Sequence, residues 1–221
     1  MEPTTMLLID DHPLFRRGVA EFFGATGEFR VVGESSSGAQ GISLAGMLRP
    51  ELVLIDLHMP GLGGLQVLDA LRRSQVDCVK VMLTASMDRE ELRSALRLGA
   101  DGYVLKESEP QALLAYVRSC VQGVVVLDDD LVRLLAEDDG PPVADSGARA
   151  ADLTAREAQT LTLIADGMSN KQIARVLGIS EGTVKVYVKN LLRKLDAKTR
   201  LELAASVHRR GLGASLRERA A

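Results

Sequence analysis

The stretch Leu52-Val53-Leu54-Ile55 is apolar at every position and runs straight into Asp56. A strand with one face in water alternates polar and apolar side chains. A run without alternation must be covered on both faces, and helices packed on both sides of a parallel sheet supply that cover. Four more short apolar runs, Met6–Ile9, Phe29–Glu34, Val79–Thr84 and Gly102–Leu105, lie at helix-length intervals along the first 126 residues. The spacing predicts an α/β domain of five βα units, with helices over Leu14–Gly24, Ala39–Leu48, Leu65–Arg73, Arg89–Leu98 and Pro110–Gln122. Gly41 and Gly46 weaken the second of these by about 1 kcal/mol each relative to Ala.

In such a sheet the side chains at the carboxyl ends of the strands converge on one crevice. Asp10 and Asp11 end the first strand, Asp56 the third and Thr84 the fourth, and Lys106 follows the fifth. Three clustered carboxylates raise one another's pKa, whereas a hard divalent cation such as Mg²⁺ turns the repulsion into coordination. A hydroxyl and an ammonium beside them suit the spread negative charge of a phosphoryl group. Taken singly each residue has an ordinary explanation, an Asp after a strand being a common helix N-cap. Five compatible types at matching strand ends point to phosphoryl chemistry.

Charge divides the chain further. Residues 1–126 carry 12 Lys and Arg against 16 Asp and Glu, 127–150 carry 2 against 7, and 151–221 carry 13 against 7. An acidic front and a basic back direct a polyanionic partner to the C-terminal part alone. The acidic runs Asp128–Asp130 and Glu137–Asp139, flanking the short apolar piece Leu131–Ala136, read as a linker. Cys78 and Cys120 have neither metal-ligand spacing nor a disulfide framework, and no apolar run approaches the roughly 20 residues of a membrane helix. A cytoplasmic protein with reduced thiols and no membrane partner is expected.

Beyond Asp152 the periodicity is helical. Thr154 and Glu157 form a T-x-x-E capping box for a helix ending near Gly167. Ser169-Asn170 open a second helix ending at Gly178, Ser180 caps a third running to about Leu195, and Lys198–Arg209 form a fourth. Ala174, Gly178 and Val184 are spaced as a helix-turn-helix requires. In the third helix Val184, Val188, Leu191, Leu192 and Leu195 make one apolar stripe, which leaves Lys185, Lys189, Asn190, Arg193 and Lys194 toward solvent. Cations on an exposed helix face suit the phosphates and base edges of a DNA major groove.

The segments "LLIDDHPLFRRGV", "ELVLIDLHMPGLGG", "VMLTAS" and "GADGYVLKES" resemble the receiver domain of two-component response regulators. That resemblance implies a flavodoxin-like fold with strand order 2-1-3-4-5. It also implies that Asp56 accepts a phosphoryl group from a sensor histidine kinase. Asp10, Asp11, Asp56 and the backbone carbonyl of His58 would hold Mg²⁺, Thr84 and Lys106 would contact the phosphoryl oxygens, and Tyr103 would be a rotating switch aromatic. His58 and Ser86, two residues beyond Asp56 and Thr84, would tune the lifetime of the phosphorylated state. His12 reads as an exposed loop side chain, and Gly63 stands where relatives often carry Asp. The segment from Leu153 to Ala204 is similar to the NarL/LuxR-type DNA-binding domain. This implies an all-α four-helix domain in which Lys185, Val186 and Lys189 enter the major groove, Thr183 and Lys171 touch the DNA backbone, and Lys198–Arg209 form a homodimer contact. Tyr187 departs from a His common at its position.

The expected organisation is a receiver over 4–124, a linker over 125–149 and a helix-turn-helix domain over 150–214, the whole forming a phosphorylation-controlled transcription regulator. It is not an enzyme beyond its own phosphotransfer and dephosphorylation. An aspartyl-phosphate phosphatase would want Asp two residues after the nucleophile, where His58 stands. A constitutive DNA-binding protein on a receiver scaffold would lack part of the pocket.

Overall fold

The computed structural model describes residues 2–126 and 153–209, the side chains of His208 and Arg209 excepted. Most of the expected linker, including Leu131–Ala136 and its acidic flanks, lies outside the described residues. The chain divides into two units, Met1–Val121 and Gln122–Ala221.

In the first unit, β1 (Thr4–Ile9), α1 (Pro13–Ala25), β2 (Phe29–Ser35), α2 (Gly38–Leu48), β3 (Leu52–Asp56), α3 (Gly64–Arg73), β4 (Val79–Thr84), α4 (Arg89–Leu98), β5 (Gly102–Leu105) and α5 (Pro110–Val121) follow in strict alternation. The sheet is parallel with order β2-β1-β3-β4-β5. Every residue of β3 is buried, as its unbroken apolar run requires. Full burial of side chains such as Leu54 and Ile55 contributes about 1.5–3 kcal/mol each. Aromatic packing among the described residues comes to two T-shaped pairs, Phe23 with Phe29 at 5.2 Å and with Phe22 at 5.7 Å between centroids.

The glycines that weaken α2 have different standing. A Cβ on Gly41 would lie 2.5 Å from Cδ1 of Ile9, so this helix packs against β1 through a glycine, and the propensity cost accompanies a close approach. Gly46 meets nothing within 4 Å.

The second unit holds α6 (Ala155–Ala165), α7 (Asn170–Leu177), α8 (Glu181–Leu195) and α9 (Arg200–Arg209). The Thr154–Glu157 capping box is formed, and Ser169 with Gln172 makes another. Gly178 ends α7 at φ +65°, the left-handed turn that a helix-turn-helix needs. The fourth helix starts two residues later than its pattern suggests, because Thr199 Oγ1 accepts from the Glu202 N–H as a cap and holds Lys198 and Thr199 outside the helix. Among the described residues no helix is long and apolar enough to cross a membrane.

Candidate functional site

Sheet hydrogen bonding continues past the strand ends and fixes the pocket. The Asp10 N–H donates to the Ser35 carbonyl at 3.0 Å, Leu57 N–H to Leu83 at 2.8 Å and Lys106 N–H to Thr84 at 2.7 Å. Three separate ladder pairs thus set Asp10, Asp56, Thr84 and Lys106 at one edge. All four are buried or nearly so, with Asp10 at 2%, Asp56 at 1% and Thr84 at 0% exposure.

Within the pocket Lys106 Nζ lies 2.7 Å from Asp56 Oδ2 and 2.8 Å from Asp10 Oδ2. One ammonium therefore serves two buried carboxylates, and Asp11 completes a set of three. Burial raises the Asp56 carboxyl above the usual range and the Asp10 charge adds to that, while Lys106 and the His58 N–H pull the other way. Lys106 is the ammonium that meets the Oδ2 atoms of Asp10 and Asp56, and Asp11 Oδ1 faces the His12 ring at 2.9 Å. Three converging carboxylates that share one ammonium keep net negative charge, which a hard divalent cation such as Mg²⁺ would balance, so these residues fit one.

Other expected residues carry partners the chain pattern does not disclose. The Thr84 hydroxyl donates to the Ser86 carbonyl at 2.8 Å and so is engaged away from Asp56. Tyr103 is fully buried, and its hydroxyl meets the Thr84 side chain. Burial pushes the phenol pKa up to about 12. His58 donates its backbone N–H to Asp56 Oδ1 at 3.2 Å, while its ring Nε2 lies 2.7 Å from Glu91 Oε1 on α4. His12 is exposed, as its reading as a loop side chain expects, and it also reaches the pocket. Although 65% exposed, its Nδ1 lies 2.9 Å from Asp11 Oδ1, 3.5 Å from Asp10 Oδ1 and 3.7 Å from Asp56 Oδ2. Its adjacency to Asp11 was the only signal in the chain.

In the second unit Val184, Leu191 and Leu195 are buried and Val188 and Leu192 half-buried, which aims the opposite face of α8 outward. Lys185, Val186 and Lys189 are exposed on that face, Val186 at 57%. Lys171 is exposed on α7, and the half-buried Thr183 has its hydroxyl 2.8 Å from that of the capping Ser180. Asn190 and Lys194 depart from the expected solvent face, both being half-buried. Lys194 Nζ donates to Glu157 Oε2 at 2.7 Å, tying the last turn of α8 to the start of α6. Burial raises the Glu157 pKa, but Lys194 and Thr154 outweigh it and hold the carboxyl below the usual range. Arg200 was likewise hidden in the sequence: its guanidinium donates to Asn170 Oδ1 and the Met168 carbonyl, joining α9 to the α6–α7 turn. On α9, Leu201, Leu203, Ala204, Ala205 and Val207 are buried.

Comparison with known proteins identifies both domains. Residues 6–118 match the response regulator receiver domain, and residues 151–207 match the bacterial regulatory proteins of the luxR family. The nitrate/nitrite response regulator protein NarL of Escherichia coli (strain K12) is 45% identical over 207 residues, covering 94% of this chain and 96% of that one. The transcriptional regulatory protein LiaR of Bacillus subtilis (strain 168) is 34% identical over 94% of this chain and 98% of its own. Among solved structures, a LuxR-family two-component response regulator from Aurantimonas sp. SI85-9A1 superposes with a TM-score of 0.58 at 26% identity, over 62% of this chain and 97% of that one. The response regulator ChrA of a heme-sensing two-component system gives 0.52 at 29% identity, over 96% and 100%. The sheet order, the helical C-terminal unit and these likenesses agree: the chain belongs to the two-component response regulators of the NarL/LuxR type, transcription regulators that join a receiver domain to a LuxR-type DNA-binding domain.

Proposed function

We propose that Asp56 accepts a phosphoryl group from a phosphohistidine of a sensor histidine kinase, and that this modification controls binding of the C-terminal domain to double-stranded DNA as a homodimer. The observation that carries the reading is the convergence at one sheet edge of three carboxylates around one lysine, whose Nζ lies 2.7 Å from the acceptor. Asp56 Oδ2 is the nucleophile: it bonds to phosphorus as the P–N bond to the donor imidazole breaks, and the electron pair leaves with that nitrogen. Lys106 neutralises charge on the transferred group, and Thr84 donates its hydroxyl there after leaving the Ser86 carbonyl. Asp10, Asp11, Asp56 and the His58 carbonyl hold Mg²⁺, which when bound supplies the positive charge that lets anionic donor and carboxylates approach. Tyr103, buried with its hydroxyl against Thr84, is the switch that responds when Thr84 moves. Water later hydrolyses the acyl phosphate, with the His58 and Ser86 side chains tuning access.

For DNA, Lys185, Val186 and Lys189 enter the major groove, Lys171 and Thr183 meet backbone phosphates, and the Lys198–Arg209 segment joins two copies. A phosphoryl mimic on the receiver raises DNA affinity; equal affinity with and without it overturns control of DNA binding by the modification. The phosphotransfer itself is tested on the full chain with a small phosphodonor and Mg²⁺, read by intact mass. One phosphoryl group is expected on the wild type and none on Asp56→Asn. Steady turnover without accumulation points to a phosphatase instead, and no uptake points to a constitutive DNA-binding protein.

A further inference from the structure

We propose that His12 supplies a fourth, nitrogen ligand to the carboxylate site, which makes the pocket a binding site for late first-row divalent metal ions such as Ni²⁺ as well as for Mg²⁺; this rests on the reading of Asp10, Asp11 and Asp56 as a cation site.

The local structure gives the His12 ring no other task. His12 occupies the N-cap of α1, where Ser, Asp or Asn would bond the first free N–H groups, yet it makes no side-chain cap. Its own N–H is held by Asp10 Oδ1 at 2.8 Å, and the ring turns back over the carboxylates. Nδ1 then lies 2.9, 3.5 and 3.7 Å from oxygens of Asp11, Asp10 and Asp56. Around an ion with bonds of about 2.1 Å, neighbouring ligand atoms sit about 3 Å apart and opposite ones about 4.2 Å. One ligand atom from each of the four residues falls within 4.8 Å of all the others.

Two further observations point to a cation. Asp10 and Asp56 have side chains 3% and 2% exposed and share the single ammonium of Lys106, at 2.8 and 2.7 Å, so with Asp11 beside them three carboxylates are matched by one positive charge. His12 Nδ1 also stands 3.5 Å from the Lys106 ammonium. An N–H there would suit Asp11 and oppose Lys106, and a lone pair would do the reverse. A metal ion among these atoms satisfies nitrogen and oxygens alike.

The identity of the ion follows from ligand chemistry. Mg²⁺ prefers oxygen and retains water, so it leaves the imidazole aside, whereas Ni²⁺ and its neighbours favour imidazole. His12 is therefore a selectivity residue that strengthens one class of ion without serving the other.

The test titrates Ni²⁺ and, separately, Mg²⁺ into the full chain and its His12→Ala variant by calorimetry, with the Ni²⁺ ligand-field spectrum as a second readout. Loss of an outer partner to a metal ligand already costs about 10-fold in affinity, so removing the ligand itself is expected to weaken Ni²⁺ by at least that and to shift the spectrum. Mg²⁺ affinity should change by less than about two-fold, since that ion keeps water in place of nitrogen, and excess Mg²⁺ should displace Ni²⁺ from the wild type. Equal Ni²⁺ affinity in the two proteins, or equal loss of both ions, overturns the nitrogen ligand. Ni²⁺ that Mg²⁺ cannot displace overturns the shared site. A wild type that binds Ni²⁺ through His12 but no Mg²⁺ upholds the ligand and instead overturns the Mg²⁺ assignment.

Discussion

The receiver pocket and the outward face of α8 handle charge in opposite ways. Around Asp56 two carboxylates are almost wholly buried and share a single lysine, with Asp11 as a third negative charge beside them. On α8 Lys185 and Lys189 stand in water, and the one nearby carboxylate, Glu181, is a loose 3.8 Å from Lys185. Burying unmatched charge makes a site that is incomplete until a small, hard ligand arrives, because such charge is costly in a low dielectric. Exposing solvated charge makes a surface that is complete by itself and attracts any polyanion through released counterions. A chemical switch needs the first arrangement, and a docking face needs the second.

The sharpest challenge to this contrast is Lys106→Met, which removes the only buried ammonium seen in the pocket while keeping much of its bulk. Loss of a positioned electrostatic donor costs about 10²–10³ in rate, so phosphoryl uptake followed by intact mass should slow at least about 100-fold, while DNA binding by the unmodified chain stays as it was. Uptake at an undiminished rate would remove Lys106 from the chemistry.

Next in size is Glu157→Gln, which breaks a buried charged contact beneath the exposed basic face. A charge-assisted hydrogen bond of this kind contributes about 2 kcal/mol, read as a lower midpoint for unfolding of the second unit. The Glu157 carboxyl is held below its ordinary value of 4.5, so its stabilisation is fully present above that pH. It is lost as pH falls through the depressed folded value. The variant should therefore match the wild type in acid and fall behind it near neutrality. Curves that stay parallel through the acid range would separate this carboxyl from stability.

Lys189→Ala tests the exposed face itself. Operator affinity should fall by about 1 kcal/mol, and if Lys189 meets a phosphate the slope of log affinity against log salt should shrink by about 0.9. An unchanged slope with lost affinity would assign it to a base edge. Smallest is Asp11→Asn, which relieves repulsion in the Mg²⁺-free pocket. Stability there should rise by about 0.5 kcal/mol, the scale of a partly exposed charge contact, and stabilisation by added Mg²⁺ should weaken. A fall in Mg²⁺-free stability would show that Asp11 is matched after all.

The fold and most of the pocket were legible because both rest on periodic features. β3 had to be covered on both faces, and the strand ends then brought Asp10, Asp56, Thr84 and Lys106 together in the order observed. What stayed hidden depended on contacts between segments distant in sequence or on local backbone turns. Lys194 lies on the polar side of its helix by periodicity, but the last turn of α8 meets α6, where Glu157 waits. The His12 ring could have pointed anywhere from an N-cap, and only the fold decides that it bends over the carboxylates. Gly41 looked like a defect because propensity is local, whereas its reason is Ile9 on another element.

The bond from Lys194 to Glu157 also bears on how operators can be built. Glu157 already closes the cap of α6, so the far end of α8 is bolted to a helix start that is itself locked. On the reading proposed above, in which α8 enters the groove of paired half-sites, this contact holds the helix against pivoting. Tolerance for variable spacing between half-sites would then have to come from bending of the DNA or from the chain joining the two domains, and operators would vary more in letters than in length.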